Sequence, residues 1–112
     1  MGISTHILDT AQGKPAAGVG ITLEVHHCGA WTELQTTQTD DDGRCKDLLP
    51  EGYALEAAVY RIRFDTGSYY TAQQIQGLYP LVEITFTVTN TSEHFHIPLL
   101  LTANSYTTYR GS

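Results

Sequence analysis

Apolar and polar residues alternate along much of this chain. In residues 21–26 (ITLEVH) every second side chain is apolar, and residues 82–89 (VEITFTVT) repeat the pattern with more threonine. A period of two residues is typical of β-strands with one buried face. Residues 55–64 and 31–39 are further predicted strands. The second of these is polar and rich in threonine, which favours the edge of a sheet.

Turn-forming residues separate these runs. Gly, Pro, Asn, Asp or Ser cluster at residues 13–15, 40–43, 50–52 and 89–92. We interpret residues 40–43 (DDDG) as a hairpin turn rather than a calcium loop, because no helices flank them. One short helix is predicted over residues 66–74, with Asp65 and Thr66 as candidate caps. Many short strands between turns predict an all-β protein, a two-sheet antiparallel β-sandwich, as a single domain over residues 1–112.

Composition adds information about partners. Hydrophobic residues make up 41% of the chain, whereas charged residues make up only 16%. Since a monomer needs a charged surface, the low fraction indicates that other subunits cover part of it. The net charge is −6 and the sequence contains no basic run. Nucleic acid and anionic membrane surfaces are therefore not expected partners.

Two cysteines, Cys28 and Cys45, are too few for a disulfide scaffold and lie outside any CxxC pattern. We expect free thiols in a reducing compartment. The chain has neither an apolar stretch of transmembrane length nor the pattern of a signal peptide. These features together predict a cytoplasmic protein.

Candidate chemistry begins with residues 94–101 (HFHIPLLL). As a strand, this segment directs Phe95 and the alternate apolar residues to the core, and it directs His94 and His96 together to the other face. Residues 4–9 (STHILD) likewise place His6 on one face with Ser4 and Leu8. Outward histidines beside apolar residues favour a groove or an interface over open solvent.

The C-terminal segment and one turn add polar groups. Residues 109–112 (YRGS) combine an aromatic ring, a guanidinium, a glycine and a hydroxyl, which suit a small polar ligand, and Arg44 follows the turn glycine. Neutral imidazole can take a proton from water near pH 7, and arginine can hold a carbonyl oxygen or an anion. Three histidines, His6, His94 and His96, could alternatively bind zinc.

Four segments together resemble the 5-hydroxyisourate hydrolase family, whose members are also called transthyretin-related proteins. They are residues 4–9 (STHILD), 42–44 (DGR), 94–101 (HFHIPLLL) and 109–112 (YRGS), in the family's order and across almost the whole chain. Residues 102–104 (TAN) depart from the family's usual Ser-Pro pattern in the turn between the last two strands. Transthyretin shares the fold but lacks these histidines and the YRGS end.

The resemblance implies a transthyretin-like sandwich of seven or eight strands with one short helix. It also implies a homotetramer, a dimer of dimers, crossed by a channel that His6 and His96 would line. The implied reaction opens the six-membered ring of 5-hydroxyisourate in urate breakdown, with no metal or organic cofactor. Water attacks the C6 carbonyl and the C6–N1 amide bond breaks.

The resemblance also implies roles for single residues. His6 and His96 position and deprotonate the water, and one of them later protonates the leaving nitrogen. Arg44 binds the substrate and offsets charge on the oxyanion, and Ser112 orients a histidine or the substrate by its hydroxyl or carboxylate. His94 has a supporting role at the rim of the pocket, and the pocket is shaped by Tyr109, Arg110 and Gly111. His26 and His27 remain unassigned.

Two other functions stay open. One is a carrier of transthyretin type that holds a small aromatic ligand in the channel, for which the histidines and Arg44 are not needed. The other is a zinc-dependent hydrolase that uses His6, His94 and His96.

Overall fold

The computed structural model describes residues 2–112 and contains nine strands and one short helix. Seven strands have three or more residues, in agreement with the expected seven or eight, and two are two-residue segments. The elements are β1 (Ile3–Asp9), β2 (Lys14–Pro15), β3 (Gly20–His27), β4 (Ala30–Gln38), β5 (Arg44–Cys45), β6 (Ala58–Phe64), α1 (Thr66–Thr71), β7 (Val82–Val88), β8 (Phe95–Leu101) and β9 (Tyr106–Thr108).

The first sheet is built on β1 and β8, which run side by side. Strand β9 pairs with the other edge of β8, and the short strands β2 and β5 pair with the other edge of β1. The β1–β8 pair is parallel, with Ser4 opposite His96 and His6 opposite Pro98. The predicted two-sheet antiparallel sandwich is confirmed, and this parallel pair is the exception among the strand pairs of residues 2–112. Alternation alone reveals the faces of a strand but not the direction of its neighbour.

The second sheet has the order β4-β3-β6-β7 and is antiparallel throughout. Strand β4, predicted at an edge because of its threonines, does lie at an edge. The predicted strand at residues 55–64 is shorter than expected and begins at Ala58, after a segment without regular structure.

The core lies between the two sheets. Alternate residues of β8 are buried as predicted, and side chains from β1, β3 and β6 meet them. The largest of these fully buried side chains are Tyr60, Phe64, Ile3, Ile7, Ile21, Leu23, Ile62 and Leu99. The outward face of β1 and β8, with His6, His96 and Leu100, is only half-buried.

Asp65 caps the helix, as predicted: its carboxylate accepts hydrogen bonds from the backbone N–H of Ser68 (3.1 Å) and from the Ser68 hydroxyl (2.7 Å). The helix ends at Thr71, three residues before the predicted end, and Gln74 has a positive φ of 60°. Across residues 2–112 no helix is long and apolar enough to cross a membrane.

The turn at residues 40–43 is confirmed, but it joins strands of different sheets. Strand β4 before it pairs with β3, and β5 after it pairs with β1. The turn therefore carries the chain from one sheet to the other rather than closing a hairpin between paired strands.

Candidate functional site

A cleft of about 260 Å³ opens on the outward face of the first sheet. It lies where the start of β1, the short strand β5, the start of β8 and the C-terminal residues meet. Its lining is almost entirely polar: Ser4, Thr5, Arg44, Lys46, His94, His96 and Ser112. Four of the eight site residues predicted from the sequence are thus brought together.

One hydroxyl joins His96 of β8 with His94, the residue immediately before that strand. Ser4 Oγ lies 2.8 Å from His94 Nε2 and 2.7 Å from His96 Nδ1, and the Ser4 residue is only 8% exposed. The parallel register sets Ser4 opposite His96, so its short side chain falls between two rings that project from the same side. The other ring nitrogen of His96, Nε2, has no protein hydrogen bond within residues 2–112.

The environment of His96 favours the neutral ring. Burial lowers the pKa of His96 below its ordinary value of 6.5, and the positive charges of Arg44, His6 and His94 lower it further. Burial and nearby positive charge both disfavour a protonated imidazole. His96 is consequently available as a proton acceptor near neutral pH.

Arg44 reaches the cleft because β5 pairs with β1 beside His6. Its side chain is exposed and forms no ion pair with any residue of the described chain. A guanidinium without a protein carboxylate partner retains its capacity to bind an anion or a carbonyl oxygen.

His6 lies beside this cleft rather than among its lining residues. Its Nε2 donates a hydrogen bond to the backbone carbonyl of Asp42, 3.0 Å away. A carbonyl only accepts, so this contact assigns a proton to Nε2 and leaves Nδ1 as the free nitrogen of the neutral ring.

A tight approach between backbones holds the Arg44 turn against β1. The Ile7 N–H donates to the Gly43 carbonyl at 2.7 Å, and Gly43 has a φ of +73°. A Cβ at this position would lie 2.4 Å from the Ile7 carbonyl oxygen. Asp40 Oδ1 accepts the N–H groups of Asp42 and Arg44, which closes the turn. Only glycine therefore allows this turn to bring Arg44 beside His6.

The C-terminal residues return to β8 and cover His96. Gly111 forms an antiparallel bridge with His96, and its N–H donates to the His96 carbonyl at 2.8 Å. A Cβ on Gly111 would lie 2.6 Å from His96 Cδ2. This packing positions Ser112 in the cleft.

Tyr109 and Arg110 lie outside the histidine cleft. The Arg110 guanidinium stands 4.4 Å from the centroid of the Phe95 ring, and its Nη2 is 3.5 Å from Glu93 Oε2. Both residues line a separate depression beside β7. Their predicted role in substrate binding remains a prediction.

Ser4, Thr5 and Lys46 line the cleft but were not identified as site residues from the sequence. Two signals were available. Ser4 shares a strand face with His6, and Lys46 follows Arg44 by two residues, a spacing that returns to the same side of an extended chain. The Thr5 hydroxyl instead donates to the Ile97 carbonyl at 2.6 Å.

The remaining histidines and the cysteines lie elsewhere. His26 packs edge-on against Trp31, and His27 Nε2 contacts Glu56 at 2.8 Å, both on the second sheet. Cys28 and Cys45 are free thiols, as predicted. No three histidine, cysteine, aspartate or glutamate side chains gather as a metal-binding group in the described part of the chain.

Two facing sheets of this topology, with a polar cleft at the β1–β8 pair, define a transthyretin-like β-sandwich. The HIUase/Transthyretin family model matches residues 3–111, and the chain belongs to that family.

Three relatives illustrate this membership. A 5-hydroxyisourate hydrolase of Salmonella typhimurium is 44% identical over 110 residues, covering 98% of this chain and 80% of the relative. The structure of Klebsiella pneumoniae 5-hydroxyisourate hydrolase matches with a TM-score of 0.88 at 30% identity and covers 100% of both chains. Sea bream transthyretin in complex with thyroxine matches with a TM-score of 0.92 at 32% identity, covering 99% of this chain and 95% of that one.

Proposed function

We propose that this chain is a 5-hydroxyisourate hydrolase of urate breakdown, acting as one domain over residues 1–112. The observation that carries the proposal is the cleft that brings His96, Arg44 and Ser112 together, in a family with hydrolase relatives 44% identical to this chain. The reaction is the opening of the six-membered ring by hydrolysis of the C6–N1 amide bond.

The cleft supplies the groups that this reaction needs. His96 takes a proton from water as the water oxygen bonds to the C6 carbonyl carbon, with His6 beside it to position the water. Arg44 stabilises the negative charge that develops on the carbonyl oxygen. When the C6–N1 bond breaks, a protonated histidine returns its proton to N1 and a carboxyl group remains at C6. Ser112 orients a histidine or the substrate.

Hydrolysis without a metal is part of the proposal. One observation supports it: two ring nitrogens of the cleft, His94 Nε2 and His96 Nδ1, already have the Ser4 hydroxyl as their hydrogen-bond partner. A lowered His96 pKa also allows imidazole to act as the base without a metal-bound water.

We also propose a homotetramer in the cytoplasm. Strands β7 and β9 are free sheet edges suited to pairing with a second copy, and the half-buried Leu8 and Leu100 lie on the histidine face. Free thiols are consistent with a reducing compartment. Analytical ultracentrifugation tests the assembly, since a tetramer has four times the 12.3 kDa chain mass.

A carrier of small aromatic ligands is the second candidate, because the transthyretin crystallised with thyroxine has a TM-score of 0.92 with this chain. The histidine and arginine cleft favours the enzyme. A carrier would bind thyroxine in isothermal titration calorimetry and leave hydrolysis at its spontaneous rate.

A coupled optical assay tests the proposal. Urate oxidase generates 5-hydroxyisourate in place, and its absorbance decay is followed with and without this protein in the presence of a chelator. We expect accelerated decay. Decay at the spontaneous rate with folded protein would refute the hydrolase, and acceleration that the chelator abolishes would refute the metal-free mechanism.

Matched variants connect the activity with the cleft. His96→Asn removes the base and should lower kcat/KM by about 10²–10⁴-fold. His26→Asn is the control, because His26 lies on the other sheet against Trp31. Equal activities in the two variants would remove His96 from the mechanism.

A further inference from the structure

The strongest unassigned feature of the cleft is the Ser4 hydroxyl between two histidine rings. It lies 2.8 Å from His94 Nε2 and 2.7 Å from His96 Nδ1, in a residue that is 8% exposed. His94 immediately precedes β8 and His96 is its second residue, and Ser4 of the neighbouring strand β1 lies between the two rings. A hydroxyl reaches both nitrogens only because β1 and β8 are in this register.

The number of protons limits how these bonds can be arranged. A serine hydroxyl donates one hydrogen bond and accepts others, and a neutral imidazole donates from one nitrogen and accepts at the other. When Ser4 donates to one ring, the other ring must therefore donate to Ser4. Whenever Ser4 is the donor to one ring, the two rings therefore hold their protons in a linked order.

We propose that Ser4 is a positioning residue that sets the tautomers of His94 and His96. In the resting order His96 Nδ1–H donates to Ser4 Oγ, and Ser4 donates to His94 Nε2. His96 Nε2 then carries no proton and is free to accept one from water. The catalytic part of this role rests on the proposed hydrolase function, whereas the tautomer assignment does not.

The donor and acceptor roles in these two hydrogen bonds can also be reversed. After His96 Nε2 takes a proton from water, its Nδ1 proton moves to Ser4 Oγ while the Ser4 proton moves to His94 Nε2. One proton has then passed from His96 to His94, Ser4 is unchanged, and His96 keeps its Nε2–H for the leaving nitrogen. When His96 gives that proton to the leaving nitrogen, the reverse shift through Ser4 restores the resting order.

This relay assigns a function to His94. His94 is the exposed member of the pair and forms the boundary between the cleft and a neighbouring depression lined by Lys46 and Asp47. Positive charge held there for part of the cycle is closer to solvent than charge on His96, which is half-buried beside Arg44 and His6.

Ring nitrogen NMR tests the assignment without any substrate. Protein labelled with ¹⁵N-histidine is observed at a pH above the pKa of every histidine, and His94→Asn and His96→Asn identify the two rings. We expect the proton of His96 on Nδ1 and that of His94 on Nδ1, with Nε2 bare in both. Ser4→Ala should remove this preference, and Ser4→Thr, which keeps the hydroxyl, should retain it. The same tautomers in wild type and Ser4→Ala would overturn the proposal.

Kinetics provide an independent readout. Ser4→Ala should lower kcat by about 10- to 100-fold, the loss seen when the hydrogen-bond partner that orients a metal-ligating histidine is removed. KM should change little, and Ser4→Thr should restore most of the rate. A Ser4→Ala enzyme with wild-type kcat would refute the positioning role. If wild type hydrolyses no 5-hydroxyisourate, the proposed function fails, and the NMR result alone then decides the tautomer assignment.

Discussion

At the residue scale, Gly111 packs directly against the ring of His96 and leaves no room for a side chain. A Cβ there would lie 2.6 Å from His96 Cδ2 and 3.1 Å from Pro98 Cγ. We predict that Gly111→Ala displaces the His96 ring and lowers kcat/KM by about 10²-fold, as a misplacement of about 1 Å can. Gly20→Ala is the control, since its Cβ would meet only Asp65 Cβ at 3.5 Å. A fully active Gly111→Ala enzyme would contradict a fixed His96 ring.

The protonation of His96 predicts the pH dependence of the rate. The neutral ring is the proposed base, so activity falls as pH drops through its pKa. Burial, followed by the charge of Arg44, lowers that pKa below 6.5. The acid limb of kcat/KM should therefore have its midpoint below pH 6.5. Arg44→Gln should shift this midpoint upward although it lowers the rate, and a midpoint at or above 6.5 in wild type would be inconsistent with His96 as the base.

Two adjacent tyrosines are expected to affect stability in opposite ways. Tyr69 donates to the fully buried Asp9 carboxylate at 3.0 Å, whereas the buried hydroxyl of Tyr70 has no partner among residues 2–112. Tyr69→Phe should lower the free energy of unfolding by about 1.5–3 kcal/mol, because it removes a hydrogen bond to a charged group. Tyr70→Phe should leave stability equal or higher. Urea unfolding at one protein concentration checks both, and the reverse order would disprove this account of Asp9.

At the scale of elements, the turn at residues 40–43 decides where Arg44 lies. Gly43 combines a positive φ with close contact to Ile7, whereas Gly29 has a similar φ of +78° and nothing within 4 Å of its added Cβ. Gly29→Ala should cost about 1–2 kcal/mol of unfolding free energy from backbone strain alone. Gly43→Ala should lower the unfolding free energy by more than Gly29→Ala, because its Cβ would also clash with Ile7. It should reduce activity as well, because Arg44 moves with the turn. Thermal unfolding checks the difference, and equal losses would exclude a role for the Ile7 contact.

The sequence predicted the elements and their faces better than it predicted how the strands pair. Alternation identified both faces of β8 and the edge strand β4, and Asp65 marked the start of the helix. The parallel β1–β8 pair and the shorter helix depended on packing. Strand direction is decided by which partner buries the face, and a helix of six residues depends on its contacts rather than on its own propensity.

At the scale of the whole molecule, Leu100 tests the proposed assembly. It is half-buried on the same outward face as His96 and Leu8. Leu100→Glu should prevent two dimers from packing through this face, because a carboxylate would be buried there without a partner. Analytical ultracentrifugation should then give twice the chain mass instead of four times, with Thr32→Glu on β4 as the control. A tetrameric Leu100→Glu protein would indicate that another face forms the contact.

The sequence by itself determined the sandwich, the outward direction of His94 and His96, and the resemblance that the family match confirms. These follow from local alternation and from short motifs, which are properties of neighbouring residues. Only the tertiary structure decided that Ser4 joins two histidines, that Tyr109 and Arg110 lie outside the histidine cleft, and that Gly43 and Gly111 admit no side chain. The physical reason is that each of these depends on register and close approach between segments that are distant in the chain, from the Gly111–His96 bridge, about 15 residues apart, to the Ser4–His94 pair at a separation of 90.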